Sequence, residues 1–269
     1  MNKKLLIIKF HDSSSVISDE RNIKIVHNSI KAFNNQIYSI DSKDILVYFA
    51  SISSNPYMWF GRLGTMKVKY SPDHDRFFKL LSQKTNIEIS AQNLRRYQQV
   101  KYFIFLSSDI RDSDSNIFKV HTIAHELQHI VQGINNELNR KRASVLTQYF
   151  YLKGNWINEI YRKLPFEFDA FLISKRTNYS LYGNKEVDNF LADIIKESKP
   201  RDKSYWEFVD SIEVNDEYDL NAEMETLWEE HINSIEKLYY KVFNSNDPKY
   251  KEFLDSYNHL KFTHYSKKT

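Results

Sequence analysis

The chain has 269 residues, 41% apolar and 27% charged, with a net charge of +3. That length allows one large or two small folded domains with a real core, and so small a charge gives no electrostatic footprint for nucleic acid. With no cysteine, disulfides and thiolate ligands are excluded, so any bound metal ion must be held by nitrogen and oxygen.

In chain order, Lys3 and Lys4 precede a four-residue apolar run, too short for the core of a signal peptide. No stretch approaches 18 apolar residues, so no membrane span is expected and the cytoplasm is the expected location. Leu5–Phe10, Ile23–His27 and Ile45–Ala50 are short β-branched or apolar runs of strand length. Met66–Tyr70 reads as another strand, and Val100–Leu106 is the clearest. Asp73–Ser82 and Ala91–Gln99 read as short helices or turns. From residue 117 the pattern turns helical, with helices predicted over Ile117–Asn139 and Ala143–Leu152, the latter ending at Gly154. A short helix follows over Asn155–Arg162. Pro165 suits a helix first turn, and that helix runs through Ile173. Further helices are predicted over Val187–Glu197 and Leu220–Phe243, with fraying over Lys261–Thr269.

The helix after Val100–Leu106 carries the most specific signal, His125-Glu126-Leu127-Gln128-His129. Residues four apart lie one turn apart on one helix face, so the two imidazoles can share one Zn²⁺ with Glu126 beside them. Residue frequencies give about 0.02 chance occurrences of this pattern in such a chain. Val120, Ile123, Ala124, Leu127, Ile130, Val131, Ile134 and Leu138 recur at three- and four-residue steps as a buried stripe. His121, His125, His129 and Gln132 form the polar stripe opposite. Asp112, Ser113, Asp114 and Ser115 offer N-cap side chains upstream. The competing reading is a surface helix that happens to carry histidines.

A catalytic zinc takes three protein ligands and leaves one position open. Gln132 and Asn135 stand where the metzincin pattern requires Gly and His, and no histidine occurs between His129 and His231. His-Glu-Leu-Gln-His followed by Glu167-Phe168-Asp169-Ala170 resembles the gluzincin-type metallopeptidases, and zincin-like bacterial and phage domains, over about residues 117–175. The resemblance implies Glu167 as third ligand and a small Ala170 that lets helices pack closely. Joined to the strand-like runs before it and the helical pattern after it, the resemblance leads to an expected α+β, zincin-like fold: a small N-terminal twisted sheet, an active-site helix and a mainly helical C-terminal half. The corresponding organisation is a β-rich part over 1–116, a zincin core over 117–180 and a helical region over 181–269. Several gluzincins have an orienting Asp where this chain has Phe171. Asp169 is the alternative, either accepting a bond from an imidazole or ligating in place of Glu167. The bland reading of both acids is a helix-start carboxylate.

The implied chemistry is zinc-dependent peptide hydrolysis, with Glu126 as general base and a singly positive metal centre facing the oxyanion. A peptide or protein substrate is expected to pair with Val100–Leu106 as an edge strand, and neither nucleic acid nor membrane is expected as a partner. His121, one turn before His125, is a candidate supporting or alternative ligand, or a hydrogen bond to substrate; the bland reading is a solvated residue. Tyr149, Tyr151 and Tyr161 are undistinguished candidates for the oxyanion, and packing is the simpler role for each. Gln128 and Gln132 read as exposed or supporting. The Arg140-Lys141-Arg142 run suits a helix C-terminus. A second class of function is an interaction or regulatory protein that uses such a scaffold to bind metal or a partner without general proteolysis.

Overall fold

The computed structural model describes residues 7–10, 16–36, 40–50, 64–68, 102–107, 113–135, 137–154, 158–214 and 218–265. Among them, helix dominates: α1 Val16–Asn34, α2 Asn116–Asn135, α3 Glu137–Leu152, α4 Asn158–Lys163, α5 Pro165–Tyr182, α6 Asn184–Glu197, α7 Pro200–Ser211, α8 Leu220–Val242 and α9 Pro248–Tyr265. The expected α+β class, led by a twisted sheet, is therefore corrected to a mainly helical one. Among the described residues, extended backbone forms four segments of four to six residues: β1 Ile7–Phe10, β2 Ile45–Ala50, β3 Gly64–Val68 and β4 Tyr102–Ser107.

The correction is clearest in α1. Ile23-Lys24-Ile25 alternates locally and so imitates a strand, but a longer window shows another period. Asn22, Ile25, Val26, Ser29, Ile30 and Phe33 are all buried and recur three and four apart, which is one face of a helix. Ile23 falls on the outer side, 36% exposed. Asp73–Ser82 and Ala91–Gln99 lie outside the described residues.

The four segments pair in the order β1-β2-β4-β3. β1–β2 and β2–β4 run parallel and β3–β4 antiparallel, with Ile104 opposite Val47 on one side and Met66 on the other. The segment expected to receive a substrate strand is thus internal. β4 is hydrogen-bonded along both sides, so it has no free edge for β-augmentation.

Backbone proximity groups the chain into two compact units, each interrupted in sequence. The first comprises Met1–Val131 with Ala170–Val214. In its core, Ile25, Val26, Ile30 and Phe33 of α1 meet Ile45, Val47, Ile104 and Leu106 of the strands. Val120, Ile123, Leu127 and Ile130 of α2 complete the cluster. Each such buried aliphatic side chain contributes about 1.5–3 kcal/mol relative to exposure. Polar ties fix α1 against the start of α2. Arg21 donates from Nη2 to Asn116 Oδ1 and to the Asp114 carbonyl, both at 2.8 Å, and Lys119 Nζ donates to Asn22 Oδ1 at 2.8 Å.

The second unit comprises Gln132–Asp169 with Asn215–Thr269. Val145, Leu146 and Tyr149 of α3 pack with Ile235, Tyr239 and Val242 of α8 and with Phe253, Tyr257 and Leu260 of α9. α3 ends before Gly154, whose φ of 72° suits a residue without Cβ. The basic run lies within this unit. Lys141 is buried and reaches Glu137 at 2.8 Å, while the Arg142 guanidinium lies 5.7 Å over Trp228. α9 continues to Tyr265, through the start of the segment expected to fray, because Phe253, Tyr257 and Leu260 anchor it every three to four residues.

Candidate metal centre

α2 starts where its sequence says it should. Ser115 precedes the first helical residue, and its Oγ accepts from the Phe118 amide at 3.1 Å, satisfying one orphan N–H of the first turn. Such a cap stabilises a helix by about 0.5–2 kcal/mol. The predicted helix to Asn139 ends earlier, at Asn135, and α3 begins at Glu137.

The burial pattern of α2 differs from a simple two-faced helix. Between Lys119 and Gln132 every side chain is buried except those of His125 and His129. Gln128 and Gln132, read as exposed or supporting, are 5% and 3% exposed. The two histidines are therefore the only side chains of this stretch that reach the surface. Their Nε2 atoms lie 3.1 Å apart. Two neutral imidazoles approach so closely in one of two ways: one N–H donates to the other ring, or both lone pairs face one cation.

Glu167 sits in the first turn of α5 and is 9% exposed. His125, His129 and Glu167 each offer a ligand atom, and these atoms all lie within 4.8 Å of one another. Tetrahedral zinc with bonds of about 2.0–2.2 Å separates its ligand atoms by about 3.3–3.6 Å, so donors within 4.8 Å of one another could close on a metal ion by small side-chain movements. Among the described residues this group can hold a metal ion. Ala170, three residues after Glu167, has no exposed surface.

The other candidates stand elsewhere. Asp169 is not in the group; its Oδ2 accepts from Gln132 Nε2 at 2.8 Å. The same Gln132 amide donates to the Phe166 carbonyl at 2.8 Å. Gln132 thus fastens the opening turn of α5 on both sides of Glu167, a role that no local motif advertises. Tyr218, also missed in the sequence, donates to the Pro165 carbonyl at 3.1 Å. Burial, with the nearby Asp169 and Glu223 carboxylates, pushes its phenol well above the usual range. Phe171 lies with its ring centroid 4.6 Å from that of His125 and 6.0 Å from that of His121. Glu126, next to His125, is 5% exposed.

His121 is also outside the group. It is 2% exposed and bonded at both nitrogens, Nδ1 to Ser174 Oγ at 3.0 Å and Nε2 to Tyr205 Oη at 3.1 Å. Ser174 gives its single proton to the Phe171 carbonyl at 2.7 Å, so its oxygen accepts from His121 Nδ1–H. Nε2 is then the acceptor for the Tyr205 hydroxyl. Burial, then the neighbouring His125 and Lys175 charges, lowers the His121 pKa to about 3.

A pH effect follows. Unfolded, His121 titrates near its ordinary 6.5; folded, it refuses the proton until about pH 3. Its contribution to stability is therefore complete above pH 6.5 and declines as pH falls toward 3, by up to about 1.4 kcal/mol per unit. In chelator-treated protein, denaturant unfolding at pH 7, 6 and 5 is expected to show a flatter pH dependence for His121→Gln than for the parent. Equal slopes would remove His121 as the source.

Comparison with family models, curated proteins and solved structures finds no match for this chain. The chemical reading therefore stands on the residues. Among the described residues, no helix is long and apolar enough to cross a membrane.

Proposed function

We propose that this protein is a zinc-dependent hydrolase of peptide bonds. The observation that carries the reading is the combination at α2: two imidazoles and the Glu167 carboxylate converge, and the imidazoles are the only surface-reaching side chains of Lys119–Gln132. A purely structural metal site is closed by a fourth protein ligand, whereas a catalytic one keeps a position open. Here three donors are in reach of one another.

His125, His129 and Glu167 would hold the ion. When bound, zinc supplies Lewis acidity toward a carbonyl and a more acidic water. Glu126 takes a proton from the attacking water as its oxygen bonds to the carbonyl carbon. Glu126 then returns that proton to the nitrogen as the C–N bond breaks. Gln132 holds the first turn of α5, and with it the backbone that carries Glu167. Phe171 supports His125 by ring contact rather than by a carboxylate.

Protein purified without added metal is expected to carry zinc near one equivalent and to cleave members of a broad peptide library, with both lost on chelation. Zinc present with no cleavage of any peptide would favour a metal-binding interaction protein. Absence of any metal affinity would overturn the site.

A further inference from the structure

Resting on the zinc reading above, we propose that Tyr161 is the positioning residue for the third ligand: its phenol holds the Glu167 carboxylate in the orientation that a metal at His125 and His129 requires. Tyr161 lies in α4, and the Leu164 amide closes the turn onto its carbonyl at 3.1 Å. Six residues separate Tyr161 from Glu167, across the junction between α4 and α5. The Tyr161 hydroxyl donates to Glu167 Oε1. The phenol gives its one proton and the carboxylate oxygen accepts it.

Two features make this more than a chance surface bond. Tyr161 is half-buried and Glu167 nearly buried, so water competes weakly for either partner. Glu167 also belongs to the first turn of a helix, whose unpaired N–H groups attract a carboxylate and offer it another place to go. The phenol competes with that alternative for the carboxylate. A long side chain fixed before the metal arrives loses less freedom on ligation. Of the three tyrosines singled out in the sequence, Tyr149 is packed in a core and Tyr151 is 56% exposed. Tyr161 has its proton on a ligand, which gives it a different task from binding an oxyanion.

The test is zinc affinity of the full chain, by competition with a chromophoric chelator. Tyr161→Phe is expected to weaken zinc about 10- to 100-fold, the usual effect of losing a ligand's hydrogen-bond partner, while the zinc-free protein melts close to the parent. In a Glu167→Ala background, Tyr161→Phe is expected to change nothing further, because the two act as one unit. Replacing Tyr161 by p-aminophenylalanine keeps a donor and should stay within a few-fold of the parent; this variant also decides the matter if the Phe variant does not fold. Unchanged affinity in Tyr161→Phe, or losses that simply add in the double variant, would overturn the inference while leaving the metal site standing. A parent protein that binds no zinc overturns the metal reading and this inference with it.

Discussion

Glu126→Gln should keep its zinc and lose peptide hydrolysis by about 10²- to 10⁴-fold, the range that a positioned general base supplies. The amide is nearly isosteric with the carboxylate but cannot take a proton. Glu126 is 5% exposed, and exchanging a buried charged group for a neutral one of equal size relieves desolvation, so the fold should tolerate the change. The loss should appear in kcat with KM little altered, because the side chain acts on the reacting water and not on the bound peptide. Metal content and steady-state kinetics on one peptide from the library give both readings. Full turnover in a zinc-loaded variant would take Glu126 out of the mechanism.

His129→Ala should remove the metal itself. Structural zinc sites bind with about 10–16 kcal/mol over four ligands, so each accounts for about 2.5–4 kcal/mol, or roughly 10²- to 10³-fold in affinity. His129 is only half-buried, so the cost to the fold should be modest. The informative comparison is His121→Gln, on the same helix two turns earlier. That ring is engaged by Ser174 and Tyr205 and lies outside the ligand group. Its loss should disturb stability and its pH dependence while zinc affinity changes little. Equal loss of zinc from both variants would mean that His121 belongs to the site.

Much of the candidate site was legible because its signals are local. A four-residue spacing on a helix brings two imidazoles together whatever the rest of the chain does, and the donors differ visibly from the apolar stripe behind them. Glu167 is pointed to by the resemblance of a second segment, and it offers a ligand atom within 4.8 Å of those of the histidines. Tertiary contacts were not legible. Ser174 and Tyr205 are 53 and 84 residues from His121, and nothing near His121 announces that both its nitrogens are taken. Gln132 meets Asp169 across 37 residues, and its place on a polar stripe disguised a buried clamp. The fold class failed for a related reason. Ile23-Lys24-Ile25 satisfies a period of two over three residues, and only the spacing from Asn22 to Phe33 reveals the helix. Val100–Leu106 reads as a strand, but whether a strand lies at an edge depends on partners that its own residues do not encode.

Imidazoles at 121, 125 and 129 make two overlapping pairs, each one turn apart, so the bare helix would offer two berths a few ångströms from each other. Ser174 and Tyr205 close the upper berth by occupying both nitrogens of the first ring. A protein with that ring unclaimed would divide its metal between two addresses, only one of them beside a carboxylate. On the zinc reading proposed above, the serine and the phenol would leave the pair at 125 and 129, beside the carboxylate, as the available address.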